Sequence, residues 1–348
     1  MPALWNLPDF DAHEGVHFFS DPASGLRAIV AIHSTHLGPA AGGTRFWHYA
    51  DGNDALTDAL RLSRGMSFKN AMAGLPVGGG KGVILADEAR TKTPAMLAAF
   101  GRAVESLGGR YVTAEDVGMG EADLVAIGRE TRHVSGLPVD EGHAGGDPGP
   151  STAMGVFLGV KAAIRQALGK DSSQGVHVAI QGVGSVGGGL ARLLAAEGAQ
   201  LTLADVDMGR AAKLAGELGA ATVAAADILT TEADVISPCA LGAVLTAESI
   251  AALRAPIVAG GANNQLATPD DGDRLHARGI LYAPDYVINA GGIINVTLEY
   301  LGQGDRAEVE ARLTQIPGRL EKIWAESASS GETAARVADR MAMALIGR

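Results

Sequence analysis

Between residues 175 and 205 the sequence reads as a strand, a glycine-rich turn, a helix and a second strand. Residues 175–180 predict a short buried strand, residues 190–196 a helix, and residues 200–204 a second strand that ends at Asp205. The turn has G-x-G-x-x-G spacing, with its glycines at Gly182, Gly184 and Gly187. An acidic residue about 20 positions after such a turn completes the dinucleotide-binding fingerprint. The unit therefore predicts an α/β domain built around a parallel sheet.

The glycines and the acidic residue have separate roles in a Rossmann unit of this kind. One glycine allows the tight turn, one lets the pyrophosphate approach the backbone, and one lets the helix pack on the strand. The helix N-terminus offers free N–H groups to the phosphates. Asp205 would accept hydrogen bonds from the adenine ribose and repel a 2′-phosphate, which favours NAD; Arg210 could reach such a phosphate and keeps NADP as an alternative. The candidate cofactor residues here are Gly182, Gly184, Ser185, Val186, Gly187, Asp205 and Val206.

Three further strand-like runs follow, at residues 235–237, 255–259 and 280–282. Each ends in a loop of small or amide residues. Because ligands bind outside the carboxyl ends of the strands in an open parallel sheet, these loops are expected at the cofactor edge. The asparagines could serve the nicotinamide or a substrate amine, or could be ordinary turn residues. The candidates in these loops are Cys239, Ala240, Asn263 and Asn289.

The first half of the chain has a different pattern. It predicts strands over 27–33, 81–85 and 109–113 and helices over 54–64 and 94–107. A Gly/Pro-rich stretch over 136–150 separates the halves, and the pattern is helical from Arg306 onward. We expect two α/β domains flanking a cleft. The first comprises residues 1–135 plus a C-terminal helix at about 326–348; the second, a Rossmann NAD-binding domain, comprises residues 136–325.

Composition excludes several classes of function. The formal charge is −11, from 28 Lys+Arg against 39 Asp+Glu, and no basic run favours a nucleic-acid surface. The single cysteine, Cys239, excludes an intramolecular disulfide and a cysteine-built zinc site, and no metal is expected. The first residues lack the pattern of a signal peptide, and no apolar run is long enough to span a membrane. The expected localisation is cytoplasmic.

Two lysines, Lys69 and Lys81, lie among glycines and apolar residues with no carboxylate between them. Burial disfavours the ammonium form and lowers a lysine pKa toward neutrality, which suits proton transfer. The segment is not a nucleotide P-loop, because Gly82 follows Lys81 at the position where a P-loop has Ser or Thr. A glycine hinge with a solvated lysine is the alternative. The predicted strand at 109–113 leads into Asp116, a carboxylate that would complete an acid/base set.

At these residues the chain resembles the Glu/Leu/Phe/Val amino-acid dehydrogenase family, and most of all its leucine and phenylalanine members. The resemblance implies reversible NAD-dependent oxidative deamination of an L-amino acid to the 2-oxo acid and ammonia by a homo-oligomer, from dimer to octamer. The matching blocks, in family order, are 37–45, 64–82, 113–118, 146–148, 182–187, 239–243 and 284–292.

The resemblance also implies that the first domain is a substrate and oligomerisation domain, and it implies a role for each candidate there. Lys69 would bind the substrate carboxylate, helped by the backbone around Gly43 and by Met66. Lys81 would polarise the developing carbonyl and activate water, and Asp116 would handle protons on the amine. A cationic Lys69 nearby would lower the Lys81 pKa further, since like charges repel. The alternatives are that Lys69 is a helix-end lysine and that Asp116 is an N-cap.

Thr152 matches the family position that contacts the nicotinamide carboxamide, although a threonine beginning a helix is equally a cap. None of four histidines falls on a family catalytic position, and we interpret them as structural or surface residues. They are His33, His36, His48 and His143.

Four family positions that line the side-chain pocket correspond to Leu37, Ala114, Ile293 and Val296. All are aliphatic, which favours leucine, valine or isoleucine. Phenylalanine dehydrogenase is the alternative, and the run 261–263 resembles the glutamate and phenylalanine members. A catalytically idle NAD-binding homologue is an alternative of another class. A 2-hydroxy-acid dehydrogenase is the enzymatic runner-up, but it normally needs a catalytic histidine.

Overall fold

The computed structural model describes residues 4–7, 9–87, 91–139, 142–240, 242–302 and 304–348. The chain divides into two compact α/β units. The first comprises Met1–Asp147, Ile293–Ala307 and Ala342–Arg348, and the second Pro148–Gly292 and Glu308–Met341. Among the described residues, no helix is both long enough and apolar enough to cross a membrane.

The first unit contains a six-stranded mixed sheet with the order β1-β2-β5-β3-β6, and β4 pairs with β5 beside this path. Strands β1, β2 and β5 are antiparallel, whereas β3 and β4 run parallel to β5. The elements are β1 (Gly15–Asp21), β2 (Leu26–Ser34), β3 (Ala40–Ala41), β4 (Thr44–His48), α1 (Gly52–Met72), β5 (Gly78–Ala86), α2 (Pro94–Ser106), β6 (Tyr111–Val112) and α3 (Glu121–Gly128).

The alternation of side chains along β2 gives this sheet two buried faces. Ile29 and Ala31 pack with Ala55 and Ala59 of α1, whereas Val30 belongs to the cluster formed with α2 and α3. The predicted strands over 27–33 and 81–85 and the helix over 94–107 are confirmed as β2, β5 and α2.

Helix α1 is longer than the predicted helix over 54–64. The Asp51 carboxylate caps its N-terminus by accepting from the backbone N–H groups of Asn53 and Asp54, at 2.6 and 3.1 Å. The helix continues to Met72, so that Lys69 lies in its last turn. The segment 64–82, which carries both lysines, is therefore not one glycine loop. It contains the end of α1 and the start of the central strand β5.

The glycine run that opens β5 allows close packing between elements. A Cβ at Gly78 would lie 1.9 Å from the Ser34 carbonyl oxygen, and one at Gly79 would lie 2.0 Å from the Ser67 amide nitrogen of α1. Any side chain at these positions would force the strands or the helix apart. The hinge interpretation of these glycines is wrong, because they lie in a buried strand.

The second unit has a parallel six-stranded sheet with the order β9-β8-β7-β10-β11-β12, the doubly wound order of a dinucleotide-binding fold. This confirms the predicted fold class. The elements are α4 (Gly149–Leu168), β7 (His177–Gln181), α5 (Ser185–Ala196), β8 (Gln200–Ala204), α6 (Met208–Leu218), β9 (Ala221–Thr222), β10 (Val235–Pro238), α7 (Ala247–Ala252), β11 (Ile257–Val258), α8 (Pro269–Ala277), β12 (Leu281–Tyr282) and α9 (Asp285–Ile288).

Four C-terminal helices complete the chain: α10 (Gly291–Tyr300), α11 (Arg306–Leu313), α12 (Ile316–Ser330) and α13 (Ala334–Leu345). The Trp324 indole N–H of α12 donates to the Tyr282 carbonyl of β12 at 2.8 Å, and the Tyr286 hydroxyl donates to Asp339 of α13 at 2.8 Å. These contacts hold α12 and most of α13 to the second unit.

The division of the chain therefore differs from the sequence-based boundaries. Of the segment 326–348, only Ala342–Arg348 belongs to the first unit, and Ile293–Ala307 belongs there as well. The boundary between the units, at Asp147 and Pro148, falls inside the Gly/Pro-rich stretch over 136–150 that was predicted to separate the halves. Residues 140 and 141 of that stretch lie outside the described residues.

Candidate active site

Lys81 and Asp116 form an ion pair in the first unit. Lys81 lies in the middle of β5, and Asp116 lies in the loop that follows β6. The Lys81 Nζ donates to Asp116 Oδ2. The Lys81 side chain is 6% exposed and that of Asp116 is 21% exposed, so the pair is largely withdrawn from water. Asp116 caps no helix, because α3 begins after Gly120.

Arg45, at the second position of β4, contacts the same carboxylate. Its Nε donates to Asp116 Oδ2 at 3.1 Å, and its Nη1 donates to Asp58 Oδ2 at 2.8 Å. The Tyr49 hydroxyl donates to that Asp58 oxygen at 2.6 Å. The sequence motifs alone predict no role for Arg45, Asp58 or Tyr49. One sequence feature could have pointed to Arg45: it is the last residue of the glycine-rich block that begins at Leu37.

These contacts set the protonation of the pair. Burial lowers the pKa of Lys81; Asp116 opposes this shift, and Arg45 adds to it. Burial alone would raise the pKa of Asp116, but the charges of Lys81 and Arg45 lower it to about 2. A like charge that lowers the Lys81 pKa comes from Arg45. The arrangement favours an anionic carboxylate beside an amine that loses its proton readily.

Gly43 packs against the Asp116 loop, and Lys69 and Met66 lie on α1 of the same unit. The buried Asn70 carboxamide, next to Lys69, donates to the Gly78 carbonyl at 2.5 Å and to the Ala41 carbonyl at 3.3 Å. These bonds fix the end of α1 against β5 and β3. A Cβ at Gly43 would lie 2.2 Å from the Glu115 carbonyl oxygen and 3.0 Å from Asp116 Cβ, so the backbone at Gly43 packs directly on the Asp116 loop.

Met66 lies beneath the neighbouring glycine, since a Cβ at Gly42 would lie 3.0 Å from Met66 Cγ. Lys69 lies in the last turn of α1, as the alternative interpretation of a helix-end lysine predicts. That position still places Lys69 one residue from the asparagine that ties α1 to the strand of Lys81.

The four pocket candidates all belong to the first unit. Ala114 and Val296 are buried, and Leu37 and Ile293 are half-buried. Ile293 and Val296 lie on α10. That helix is held by Glu299, which accepts from the Gly136 and Leu137 amides at 2.7 and 3.0 Å, and by Asn295, which accepts from the Gly145 amide at 3.0 Å.

The histidines lie outside the Lys81–Asp116 cluster. His33 is fully buried; its Nδ1 is 2.7 Å from the Ser67 hydroxyl, and its Nε2 accepts from Arg348 at 2.8 Å. Burial lowers the pKa of His33 to about 4, and Arg348 adds to the shift, which keeps the ring neutral. His36 and His48 are exposed.

In the second unit the glycine turn has the geometry that a dinucleotide requires. Gly182 has a φ of +87°, and a Cβ at Gly187 would lie 1.9 Å from the Gly182 carbonyl oxygen. A Cβ at Gly184 would meet nothing within 4 Å, which leaves this backbone open to a ligand. Helix α5 begins at Ser185 and Val186 with Gly184 as N-cap and no side-chain cap, so its first N–H groups are available to phosphate.

Asp205 closes β8 beside this turn. Its carboxylate accepts from the Val183 amide at 2.8 Å and from the Asp207 amide at 2.9 Å. Burial would raise the pKa of Asp205, but these bonds and Arg210 lower it, so it remains anionic. Arg210 is 3.8 Å from Asp205 and 3.6 Å from Asp207. Val206 is 93% exposed.

The loop after β11 meets α9 at its C-terminal end. The Asn289 amide nitrogen donates to Asn263 Oδ1 at 2.8 Å and to the Gly261 carbonyl at 3.2 Å. Asn289 Oδ1 is buried and has no hydrogen-bond partner among the described residues. A buried acceptor without a donor is unfavourable. The amide group of a nicotinamide would supply that donor, so these residues fit such a cofactor.

Cys239 and Ala240 pack on the glycine turn at Gly182 and Gly187, whereas Thr152 lies beside Gly291 at the start of α10. Cys239 Sγ accepts from the Gly261 amide at 3.4 Å, and burial raises the pKa of its thiol. A Cβ at Gly182 would lie 2.7 Å from Ala240 Cβ, so Ala240 packs on the glycine turn. The Thr152 hydroxyl donates to the Pro148 carbonyl at 2.8 Å. Since α4 begins at Gly149, Thr152 is not its N-cap.

Comparison with known proteins matches both halves of the chain to one family. Residues 13–133 match the family described as Glu/Leu/Phe/Val dehydrogenase, dimerisation domain. Residues 202–346 match the family described as Glutamate/Leucine/Phenylalanine/Valine dehydrogenase.

Individual relatives cover almost the whole chain. A leucine dehydrogenase of Geobacillus stearothermophilus is 48% identical over 95% of this chain and 89% of its own length. A valine dehydrogenase of Streptomyces virginiae is 45% identical over 96% and 94%. Among solved structures, the L-tryptophan dehydrogenase from Nostoc punctiforme is 40% identical and covers 96% of both chains with a TM-score of 0.83.

Proposed function

The chain belongs to the Glu/Leu/Phe/Val dehydrogenase family, and from that premise we propose that it catalyses the reversible NAD-dependent oxidative deamination of a branched-chain L-amino acid. The products are the 2-oxo acid, ammonia and NADH. The observation that carries the proposal is the buried Lys81–Asp116 pair, in a chain whose second unit has a nicotinamide dinucleotide fold. In this proposal the first unit binds the amino acid and the second binds NAD.

The residues of the first unit divide the proton transfers between them. The anionic Asp116 accepts a proton from the substrate ammonium, which frees the nitrogen lone pair. A nicotinamide cofactor held by the second unit would supply the acceptor for the hydride of Cα. Lys81, whose pKa is lowered, takes the proton of the water that attacks the resulting imine. Asp116 then returns its proton to the nitrogen, and ammonia leaves as the hydroxyl gives its proton to the freed Asp116 carboxylate, while the Lys81 ammonium polarises the developing carbonyl.

Lys69 and the backbone at Gly43 hold the substrate carboxylate in this proposal. A carboxylate requires a cation and N–H donors, and a lysine in the last turn of α1 supplies the former. Met66 packs beneath Gly42 and supports that backbone. The alternative of an idle NAD-binding homologue would require neither a buried lysine nor its paired carboxylate.

NAD is favoured over NADP by the charges around β8. Asp205 is anionic and lies at the end of the strand, where the ribose of a dinucleotide binds. A 2′-phosphate would meet this charge and that of Asp207. Arg210, the cation that could offset them, is close to both carboxylates.

The branched-chain preference is supported by the aliphatic candidates Leu37, Ala114, Ile293 and Val296, and by the leucine and valine dehydrogenases among the relatives. Phenylalanine is the alternative substrate. The match to a dimerisation domain supports a homo-oligomer.

The test is a set of initial rates of NADH formation with leucine, valine, isoleucine and phenylalanine, with NADP run beside NAD. We expect the three branched-chain substrates to exceed phenylalanine in kcat/KM and NAD to exceed NADP. In Ala114→Gly, which removes one methyl group, the ratio of phenylalanine to leucine should rise about 10-fold. A wild-type preference for phenylalanine would contradict the pocket assignment, and no turnover with NAD bound would favour the idle homologue.

A further inference from the structure

Arg45 joins two parts of the first unit that carry proposed site residues. Its guanidinium donates from Nε to Asp116 in the loop after β6 and from Nη1 to Asp58 on α1. The same helix carries Lys69 eleven positions further along the chain. All three side chains are at least three-quarters withdrawn from solvent, with exposed fractions of 23%, 21% and 24% for Arg45, Asp116 and Asp58.

We propose that Arg45 is a positioning residue of the deamination reaction: it holds Asp116 Oδ2 against Lys81 and ties that carboxylate through Asp58 to the helix of Lys69. This inference rests on the proposed function. It adds Arg45 and Asp58 to the reaction without requiring either to contact the substrate.

The chemistry of the guanidinium explains why an arginine stands at this position. Its planar fork donates to two carboxylates in fixed directions, whereas a lysine ammonium is a compact charge on a flexible stem. Two carboxylates this close would repel each other without a cation between them. The Tyr49 hydroxyl also donates to Asp58 Oδ2, which fixes the far end of the bridge.

The bridge matters most when Lys81 gives up its proton. In that state Lys81 no longer compensates the charge of Asp116, and a carboxylate held by lysine alone would turn toward solvent. Arg45 keeps Asp116 paired and in place. With Lys81 neutral, the group of Lys81, Arg45, Asp58 and Asp116 has one net negative charge, which suits a cationic substrate amine.

Arg45 also affects the pH at which Lys81 is neutral. Charged groups that act on Lys81 include Asp116 in the loop after β6, Arg45 on β4 and Asp58 on α1. The two carboxylates raise the Lys81 pKa, and Arg45 lowers it. Removing Arg45 therefore raises the Lys81 pKa, and the increase of kcat/KM with pH should occur at higher pH.

The experiment compares Arg45→Met, Arg45→Lys and Asp58→Asn with the wild-type enzyme, using leucine and NAD. Arg61→Met is the matched control, because Arg61 lies on α1 and pairs with Asp9 through Nε at 3.0 Å, and its side chain is 63% exposed. Thermal unfolding and circular dichroism establish that each variant folds. The readouts are kcat, the KM for leucine, and the pH profile of kcat/KM.

We expect Arg45→Met to lower kcat about 100-fold, because misplacing a reacting group by about 1 Å costs that much. Its KM for leucine should change much less, and its pH profile should move to higher pH. Arg45→Lys should restore the profile but not the full kcat. Asp58→Asn should lower kcat without an alkaline shift, and Arg61→Met should match the wild type. A folded Arg45→Met with wild-type kcat and profile, or an equal loss in Arg61→Met, would overturn the proposal.

A second readout does not depend on turnover. Competitive labelling with acetic anhydride across pH, followed by mass spectrometry, gives the midpoint at which Lys81 becomes reactive. We expect a higher midpoint in Arg45→Met than in the wild type, and an unchanged midpoint would overturn the electrostatic part of the proposal. If the wild type oxidises no amino acid, the proposed function fails, but the labelling midpoint still decides whether Arg45 controls Lys81.

Discussion

At the scale of single residues, the pKa of Lys81 in β5 is set by the groups that surround it. Burial lowers the pKa of Lys81, and Asp116 opposes this but does not reverse it. A lysine with a lowered pKa is neutral over a wider pH range below its usual value of about 10.4. Oxidative deamination should therefore accelerate as pH rises through the Lys81 pKa, because only the neutral amine can accept a proton from water.

Lys81→Met tests this role, since methionine is similar in length but cannot transfer a proton. We expect kcat for leucine oxidation to fall about 10³-fold or more, the order expected for losing a general acid–base group. NAD affinity, measured by calorimetry, should be unchanged because the candidate cofactor residues lie in the second unit.

Arg45 continues to pair with Asp116 in this variant, so the loop keeps its partner. Lys92→Met is the control, because the Lys92–Asp123 pair belongs to the same unit but does not contact Asp116. A Lys81→Met enzyme that retains more than a tenth of wild-type kcat would contradict the proposed role.

At the scale of elements, two helical glycines differ in whether a side chain could replace them. In the second unit, Gly187 lets α5 pack against the turn after β7. Gly216, in α6, differs because a Cβ there would meet nothing within 4 Å. The two positions therefore form a matched pair of helical glycines.

Gly187→Ala should weaken NAD binding at least 10-fold and lower the unfolding temperature, because its Cβ would lie 1.9 Å from the Gly182 carbonyl oxygen. Gly216→Ala should stabilise the protein by roughly 0.5–1 kcal/mol and leave NAD binding unchanged. Thermal unfolding and calorimetric titration with NAD measure both effects. Equal behaviour of the two variants would show that the close packing at Gly187 is unimportant.

The elements also show what sequence patterns can predict. The strand, turn and helix around Gly182 were predicted because every part of the fingerprint is local. The glycine run at Gly78 was open to a hinge interpretation, because the contacts that require glycine there are made with Ser34 and Ser67. Both residues are distant in sequence. Arg45 received no role for the same reason, since only the fold brings it to Asp116.

At the scale of the whole molecule, the sequence indicated two α/β units and placed a helix at about 326–348 with the first, but only Ala342–Arg348 of that segment belongs there. The helical pattern after Arg306 shows an apolar face without showing which sheet it covers. The contacts of Trp324 with Tyr282 and of Tyr286 with Asp339 join α12 and α13 to the second unit. Ile293–Ala307 belongs to the first unit, together with the substrate-pocket candidates Leu37 and Ala114.

The most direct test of the account is the stoichiometry of one reaction, L-leucine with NAD at alkaline pH. Oxidative deamination should give equal amounts of NADH, ammonium and the 2-oxo acid of leucine, measured by absorbance, ammonium assay and mass spectrometry. NAD bound with none of these products formed would contradict the proposed function. NADH formed without ammonium would contradict the assignment of Asp116 and Lys81 to chemistry at the amine.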